Sequence, residues 1–136
     1  MVEALRDLSE MVRIQYEVDC LFQAPASKPD VAAETAMYLF RIAQEAVYSA
    51  LYRSPVVLIS IRFKAVRGAL VLSVRDDGQD FPEGVGVEEW ARGEFPIMHH
   101  RSRVMGAKLE FKRVSRGGVE VICSVPRYTR KRRAKA

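Results

Sequence analysis

The feature that most constrains this chain is a change of hydrophobic period at Pro55. Before it, Val31, Met37, Leu39, Phe40, Ile42, Ala43, Ala46, Val47, Ala50 and Leu51 recur at about 3.6 residues per turn and form one wide apolar stripe. After it, Val56 to Ala65 and Ala69 to Arg75 alternate with period two and are rich in β-branched residues, and Arg67-Gly68 between them marks a hairpin. Ser54-Pro55 cannot continue a helix, so a long helix hands over directly to a pair of strands.

The flanking segments extend this pattern. Leu5, Leu8, Met11 and Val12 have helical spacing, so Met1 to Val12 is expected to be a short helix. Ile14 to Cys20 alternates apolar and polar residues and is expected to be a strand. Ala24 to Pro29 is a loop ending at Asp30, a plausible helix N-cap. Asp76 to Glu94, rich in glycine, is expected to be a long loop, and Phe95 to Met105 a helix with Pro96 in its first turn. Lys108 to Val114 and Val119 to Val125 complete a second hairpin turning at Ser115-Arg116-Gly117-Gly118. Strand, long helix, hairpin, loop, helix and hairpin make an α+β two-layer sandwich, a mixed sheet with helices on one face.

Composition narrows the class. At 136 residues with 49% hydrophobic content, the chain can bury one core. It contains no apolar run long enough to span a membrane and no signal-peptide layout, so a soluble, cytoplasmic chain is expected. Cys20 and Cys123 lie far apart in strand-like segments, with neither disulfide-framework nor metal-ligand spacing. Of the cations behind the net charge of +5, six fall in the last ten residues (Arg127, Arg130, Lys131, Arg132, Arg133, Lys135), which leaves the rest at −1. That tail, residues 127–136, is expected to be a solvated, disordered terminus, and no specific nucleic-acid partner is inferred from it. No motif pairs a nucleophile with a base as a hydrolase requires.

Phe40-Arg41-Ile42-Ala43-Gln44-Glu45-Ala46-Val47-Tyr48-Ser49-Ala50-Leu51 and Val74-Arg75-Asp76-Asp77-Gly78-Gln79-Asp80-Phe81 resemble the N box and first glycine box of the ATP-binding catalytic domain of sensor histidine kinases. The similar subclass carries RIAQEALxNALKHA and VxDDGxGF. Ile97 to Leu109 is similar to the segment IMxxRAxxIGGxL of that family, and Gly117-Gly118-Val119 to its GGT turn. The pieces come in the family order over Ile14 to Pro126. The resemblance implies the GHKL fold, ATP and magnesium as cofactors, and two-component signalling with a histidine-bearing dimerisation domain or a response regulator as partner. It divides the chain into residues 1–13 (a helical segment or the end of an upstream dimerisation helix), 14–126 (the ATP-binding domain) and the tail.

Carried over residue by residue, the resemblance makes Glu45 the catalytic glutamate beside the phospho-accepting histidine. It assigns Asp76 and Gly78 to adenine, Gly117 and Gly118 to the nucleotide, and Ser49 to magnesium in place of the family asparagine. Tyr52-Arg53 replaces Lys-His, and Arg53 is expected to reach a phosphate. Four departures converge on one pocket. Ser49 is a weaker ligand than an amide. Asp80 replaces the second glycine of the box, Glu94 and its neighbours stand where GLGL is expected, and Val119 lacks the threonine hydroxyl. An alternative alignment uses Gly84-Val85-Gly86-Val87 as a displaced glycine box. His99 and His100 are adjacent on the expected helix, point about 100 degrees apart and lack a third ligand, so ordinary partly exposed histidines are expected.

Three functions follow. The first is a histidine kinase-type ATP-binding domain with weakened nucleotide and magnesium binding, ATP or ADP being held weakly. The alternative is a non-catalytic interaction module that keeps the sandwich as a docking surface, and the third is a working domain that binds ATP through substitute ligands. The acceptor motif of relatives, a pattern like ELHD, does not occur in these residues.

Overall fold

A computed structural model of the chain describes residues 1–53, 55–56, 58–78, 84–114 and 117–127. Expectations attached to Ser54, Asp80, Phe81, Ser115, Arg116 and the tail beyond Arg127 lie outside those residues. The element order is α1 (Val2–Tyr16), β1 (Asp19–Gln23), α2 (Ala33–Arg53), β2 (Leu58–Val66), β3 (Ala69–Asp76), α3 (Val87–Glu94), α4 (Pro96–Val104), β4 (Lys108–Arg113) and β5 (Val119–Pro126). The strands form one sheet in the order β1-β2-β3-β5-β4, with β1 parallel to β2 and every other pair antiparallel. This is the α+β two-layer sandwich that the period change at Pro55 predicts.

Register explains the single buried face. Phe63 pairs with Leu72 and Leu72 with Cys123, so the alternate residues Ile59, Ile61, Phe63, Leu70, Val74, Val121 and Val125 point the same way, and all are buried. Against them α2 lays Leu39, Ile42, Ala43, Ala46, Val47 and Ala50, and α1 adds Leu5, Leu8 and Val12 to the same core. Each fully buried Ile, Leu or Phe contributes roughly 1.5–3 kcal/mol. Cys20 and Cys123 are both free and buried in it. The β2–β3 hairpin turns through Gly68 at φ 79°, a left-handed conformation that glycine adopts without strain.

Two expectations are corrected. Ile14 to Tyr16 are the last turn of α1, and the strand begins only at Asp19. Burial at Leu5, Leu8, Ser9 and Val12 sets the helical face, and Ile14 is 77% exposed because it points away from it. The helix stops at Glu17, which takes the left-handed conformation (φ 56°, ψ 36°) without being glycine. The second correction falls within Asp76 to Glu94, where Val87 to Glu94 form α3 rather than loop. Ala91 is fully buried and Trp90 packs edge-on against Phe95 at 5.6 Å, so tertiary packing outweighs the local glycine content. The helix expected over Phe95 to Met105 is α4, with Pro96 in its first turn.

Candidate functional site

Residues four apart on a helix share a face, and Glu45, Ser49 and Arg53 form such a row along α2. They open on a cavity of about 450 Å³ whose other walls include Tyr48, Trp90 and Glu94. Asp76 ends β3 beside this row, buried at 5% exposure. Arg53 joins the two elements. Its Nη2 donates to Asp76 Oδ2 at 2.5 Å, its Nη1 donates to Ser49 Oγ at 3.3 Å, and its guanidinium lies 5.3 Å from the centre of the Trp90 ring. Its Nε is buried without a partner.

The backbone around Asp76 fixes its carboxylate. Gly78 N donates to Asp76 Oδ1 at 2.9 Å, an Asx-type turn, while Asp77 Oδ1 accepts from Leu58 N at 3.1 Å and ties the end of β3 to the start of β2. The second hairpin presses in from the other side. A Cβ added to Gly118 would lie 2.2 Å from the Asp76 carbonyl oxygen, so only glycine fits there. Gly117 is buried at φ 102° in the same turn, and Val119 behind it is core.

The site residues expected from sequence therefore fall into one connected group: Glu45, Ser49 and Arg53 on α2, Asp76 and Gly78 at the end of β3, and Gly118 against Asp76. Gly117 adjoins the group through the hairpin. Three further participants have no role assigned by the sequence. Trp90, the sole tryptophan, stacks on Arg53, and its signal was the apolar face of Val87, Trp90 and Ala91 inside a glycine-rich stretch. Arg101 Nη1 donates to Glu45 Oε1 in a half-buried ion pair. Phe95, buried, stacks on Phe111 at 5.7 Å and lines the cavity. His99 is half-buried, its Nδ1 2.8 Å from the Phe95 carbonyl oxygen and its ring over Phe111, and His100 is exposed.

No family model matches the sequence, and no curated protein is similar to it at a significant level. Solved structures are. The chain is similar to the EL346 blue-light activated histidine kinase of Erythrobacter litoralis, with a TM-score of 0.75 and 21% identity over 93% of this chain and 42% of that one. The ATP-binding domain of PrrB from Mycobacterium tuberculosis gives 0.73 and 13% over 94% of each chain. Full-length ShkA, solved in complex with AMPPNP, gives 0.73 and 18% over 92% of this chain and 29% of ShkA. The chain thus spans well under half of the EL346 kinase. At these identities the likeness establishes the fold alone, the mixed five-stranded α+β sandwich that these kinase structures contain. No described helix is long and apolar enough to cross a membrane.

Proposed function

We propose that this chain is a histidine kinase-type ATP-binding domain of a two-component signalling protein whose nucleotide and magnesium binding is weakened. The observation that carries the reading is the placement of Arg53 between Asp76 and Trp90. By resemblance, Asp76 is the carboxylate that receives the adenine amino group. Here Oδ1 already accepts from Gly78 and Oδ2 from Arg53, so an incoming base competes with a half-buried guanidinium for that carboxylate. Arg53 in turn reaches a phosphate only by leaving Asp76.

The metal position fits its ion no better. Ser49 Oγ accepts from Arg53 Nη1, which places a positive charge beside the hydroxyl that would ligate magnesium. Like charges about 4 Å apart at an effective dielectric near 20 oppose each other by roughly 4 kcal/mol per unit charge pair. Among the described residues no three His, Cys, Asp or Glu side chains gather into a metal-binding group. Glu45, the catalytic glutamate by resemblance, is held by Arg101, and Glu94 adds a negative charge to the cavity wall. That neutralised glutamate favours the second reading, a non-catalytic sandwich that docks on a dimerisation domain or response regulator.

Calorimetry with ADP and with magnesium-ATP tests the proposal on the wild type and on Arg53→His, which installs the family residue. The wild type is expected to bind weaker than micromolar. Arg53→His, alone or with Ser49→Asn, is expected to tighten binding by about tenfold or more, the equivalent of roughly 1.4 kcal/mol. Micromolar or tighter magnesium-ATP binding by the wild type overturns the weakened-site reading.

A further inference from the structure

The two ends of the sheet are finished differently. At the β4 edge the chain caps itself: Phe111 N donates to Glu88 Oε1 at 3.1 Å, and Arg113 Nη2 donates to the Val85 carbonyl at 3.2 Å. At the β1 edge, Ser9 Oγ donates to the Cys20 carbonyl at 3.2 Å. Between them lies one stretch without such cover. β1 ends its pairing at Gln23↔Arg62, while β2 runs on to Val66, so Phe63 to Val66 pair with β3 on one side and meet no described strand on the other. An uncovered strand edge of this kind is a template for another strand.

Beside that edge lies a cavity of about 950 Å³, larger than the one at Arg53. Arg6 and Arg13, about two turns apart on α1, contribute one wall, and Arg62 and Lys64, alternate residues of β2, contribute another. Glu10 is its single carboxylate, and its one ion pair among the described residues is with Arg13 at 3.8 Å between half-exposed side chains. Arg6, Arg62 and Lys64 have no carboxylate partner among the described residues. Leu21 and Val66, 57% and 42% exposed, add apolar surface at the rim.

We propose that the Phe63–Val66 edge and its basic groove bind an extended acidic segment of a partner protein, which adds to the sheet beyond the end of β1. The chemistry selects this partner. Unpaired strand backbone is satisfied by the N–H and C=O groups of another polypeptide, which a nucleic acid or a lipid surface cannot supply in register. Of the two aromatic residues that line the groove, Phe63 is buried and the Phe22 ring already carries the Arg6 guanidinium at 5.5 Å, so neither offers the open platform a base would stack on. Arg62 and Lys64 project to the face of β2 opposite Phe63 and the helices, so acidic residues at alternate positions of the incoming strand meet them, and the apolar residues between lie on the side of Phe63 and Ala65. The inference does not depend on whether a nucleotide binds at Asp76.

The test is a titration of the isotopically labelled chain, followed by amide NMR, with a short capped peptide alternating Glu and Val. Shifts and slowed amide exchange are expected at Phe63 to Val66 and along the facing turns of α1, without change at Asp76. N-methylation of alternate peptide bonds should abolish binding, and a Lys-Val counterpart should not bind. The double variant Arg62→Glu with Lys64→Glu should weaken the acidic peptide about tenfold or more. If that variant does not fold, the N-methylated peptide on the wild type still decides. Absence of shifts at the β2 edge, equal binding of the N-methylated peptide, or tighter binding of oligo(dT) or phosphatidylserine vesicles to the same residues overturns the proposal.

Discussion

Two cavities in this sandwich use charge in opposite ways. At the α2–α3 cavity two ion pairs are internal, Arg53 with Asp76 and Glu45 with Arg101, with Trp90 stacked on the arginine and Glu94 on the wall. At the α1–β2 groove four cations face one carboxylate, and a strand edge beside them is uncovered. A site whose polar groups satisfy one another must break those contacts before it receives a ligand, whereas unsatisfied groups in water lose only hydration. The difference teaches that the place a sequence resemblance points to and the place where charged groups stand unpaired are separate things. In this chain the first lies at the end of the central strand β3 and the second beside β1 and β2.

The largest effect expected from this contrast is on stability. Removing one member of a buried ion pair strands the other charge, which costs about 3–5 kcal/mol, while deleting an exposed charge shifts stability by about 0.5 kcal/mol or less. Asp76→Ala should therefore lower the urea midpoint sharply, since Arg53 is left 14% exposed with its partner gone. Lys64→Ala should leave the midpoint almost unchanged. Equal midpoints for the two variants would mean that the Arg53–Asp76 pair does not hold the cavity closed. Reversal of the order would sink the comparison altogether.

A somewhat smaller effect is expected at Gly118, because the hairpin rather than the ion pair is then disturbed. The Cβ of Gly118→Ala would meet the Asp76 carbonyl oxygen at 2.2 Å, and neither backbone can yield without moving the end of β3. Overpacking of this kind costs about 1–3 kcal/mol. The displaced Asp76 should also loosen its hold on Arg53, so Trp90 fluorescence should change in Gly118→Ala and stay as in the wild type in Lys64→Ala. An unchanged Trp90 signal would show that the hairpin does not position the aspartate.

How much of this could be read in the sequence depends on the range of the interaction. The apolar stripe of α2, the alternation in β2, β3 and β5, and the place of Pro96 in α4 are local patterns, and the structure follows them. Glu17 ends α1 in a left-handed conformation without the glycine that would announce it, so the alternation at Ile14 and Tyr16 points to a strand that the structure does not form. Only three apolar residues, Val87, Trp90 and Ala91, marked α3 among glycines. The contacts that define the cavity are non-local: Arg53 and Asp76 are 23 positions apart, Glu45 and Arg101 56 apart. The resemblance located Glu45, Ser49, Arg53 and Asp76 in one region. It gave no sign that Arg53 would turn to Asp76, because that choice depends on Trp90 from a helix the sequence disguised.

The smallest effect concerns the two thiols, which report on the core and on the groove separately. Cys123 is fully buried in β5, and burial pushes its thiol up to about 12. Cys20 is 4% exposed and adjoins the groove. Its thiol is also raised by burial, opposed by the Ser9 hydroxyl and the nearby Arg13 charge. Because the thiolate is the nucleophile, both react slowly at neutral pH, and Cys20 should be alkylated before Cys123. A raised folded-state value binds protons in the native protein that the unfolded chain releases, so this contribution to stability is complete below the ordinary value of 9.0 and is lost as pH rises toward about 12. The acidic Glu-Val peptide, if it occupies the groove, should slow alkylation of Cys20 and leave Cys123 untouched, as peptide mapping of the alkylated chain would show. Equal slowing of both would mean that the peptide tightens the whole fold rather than filling the groove, and equal native rates without peptide would mean that the two regions do not differ in packing at all.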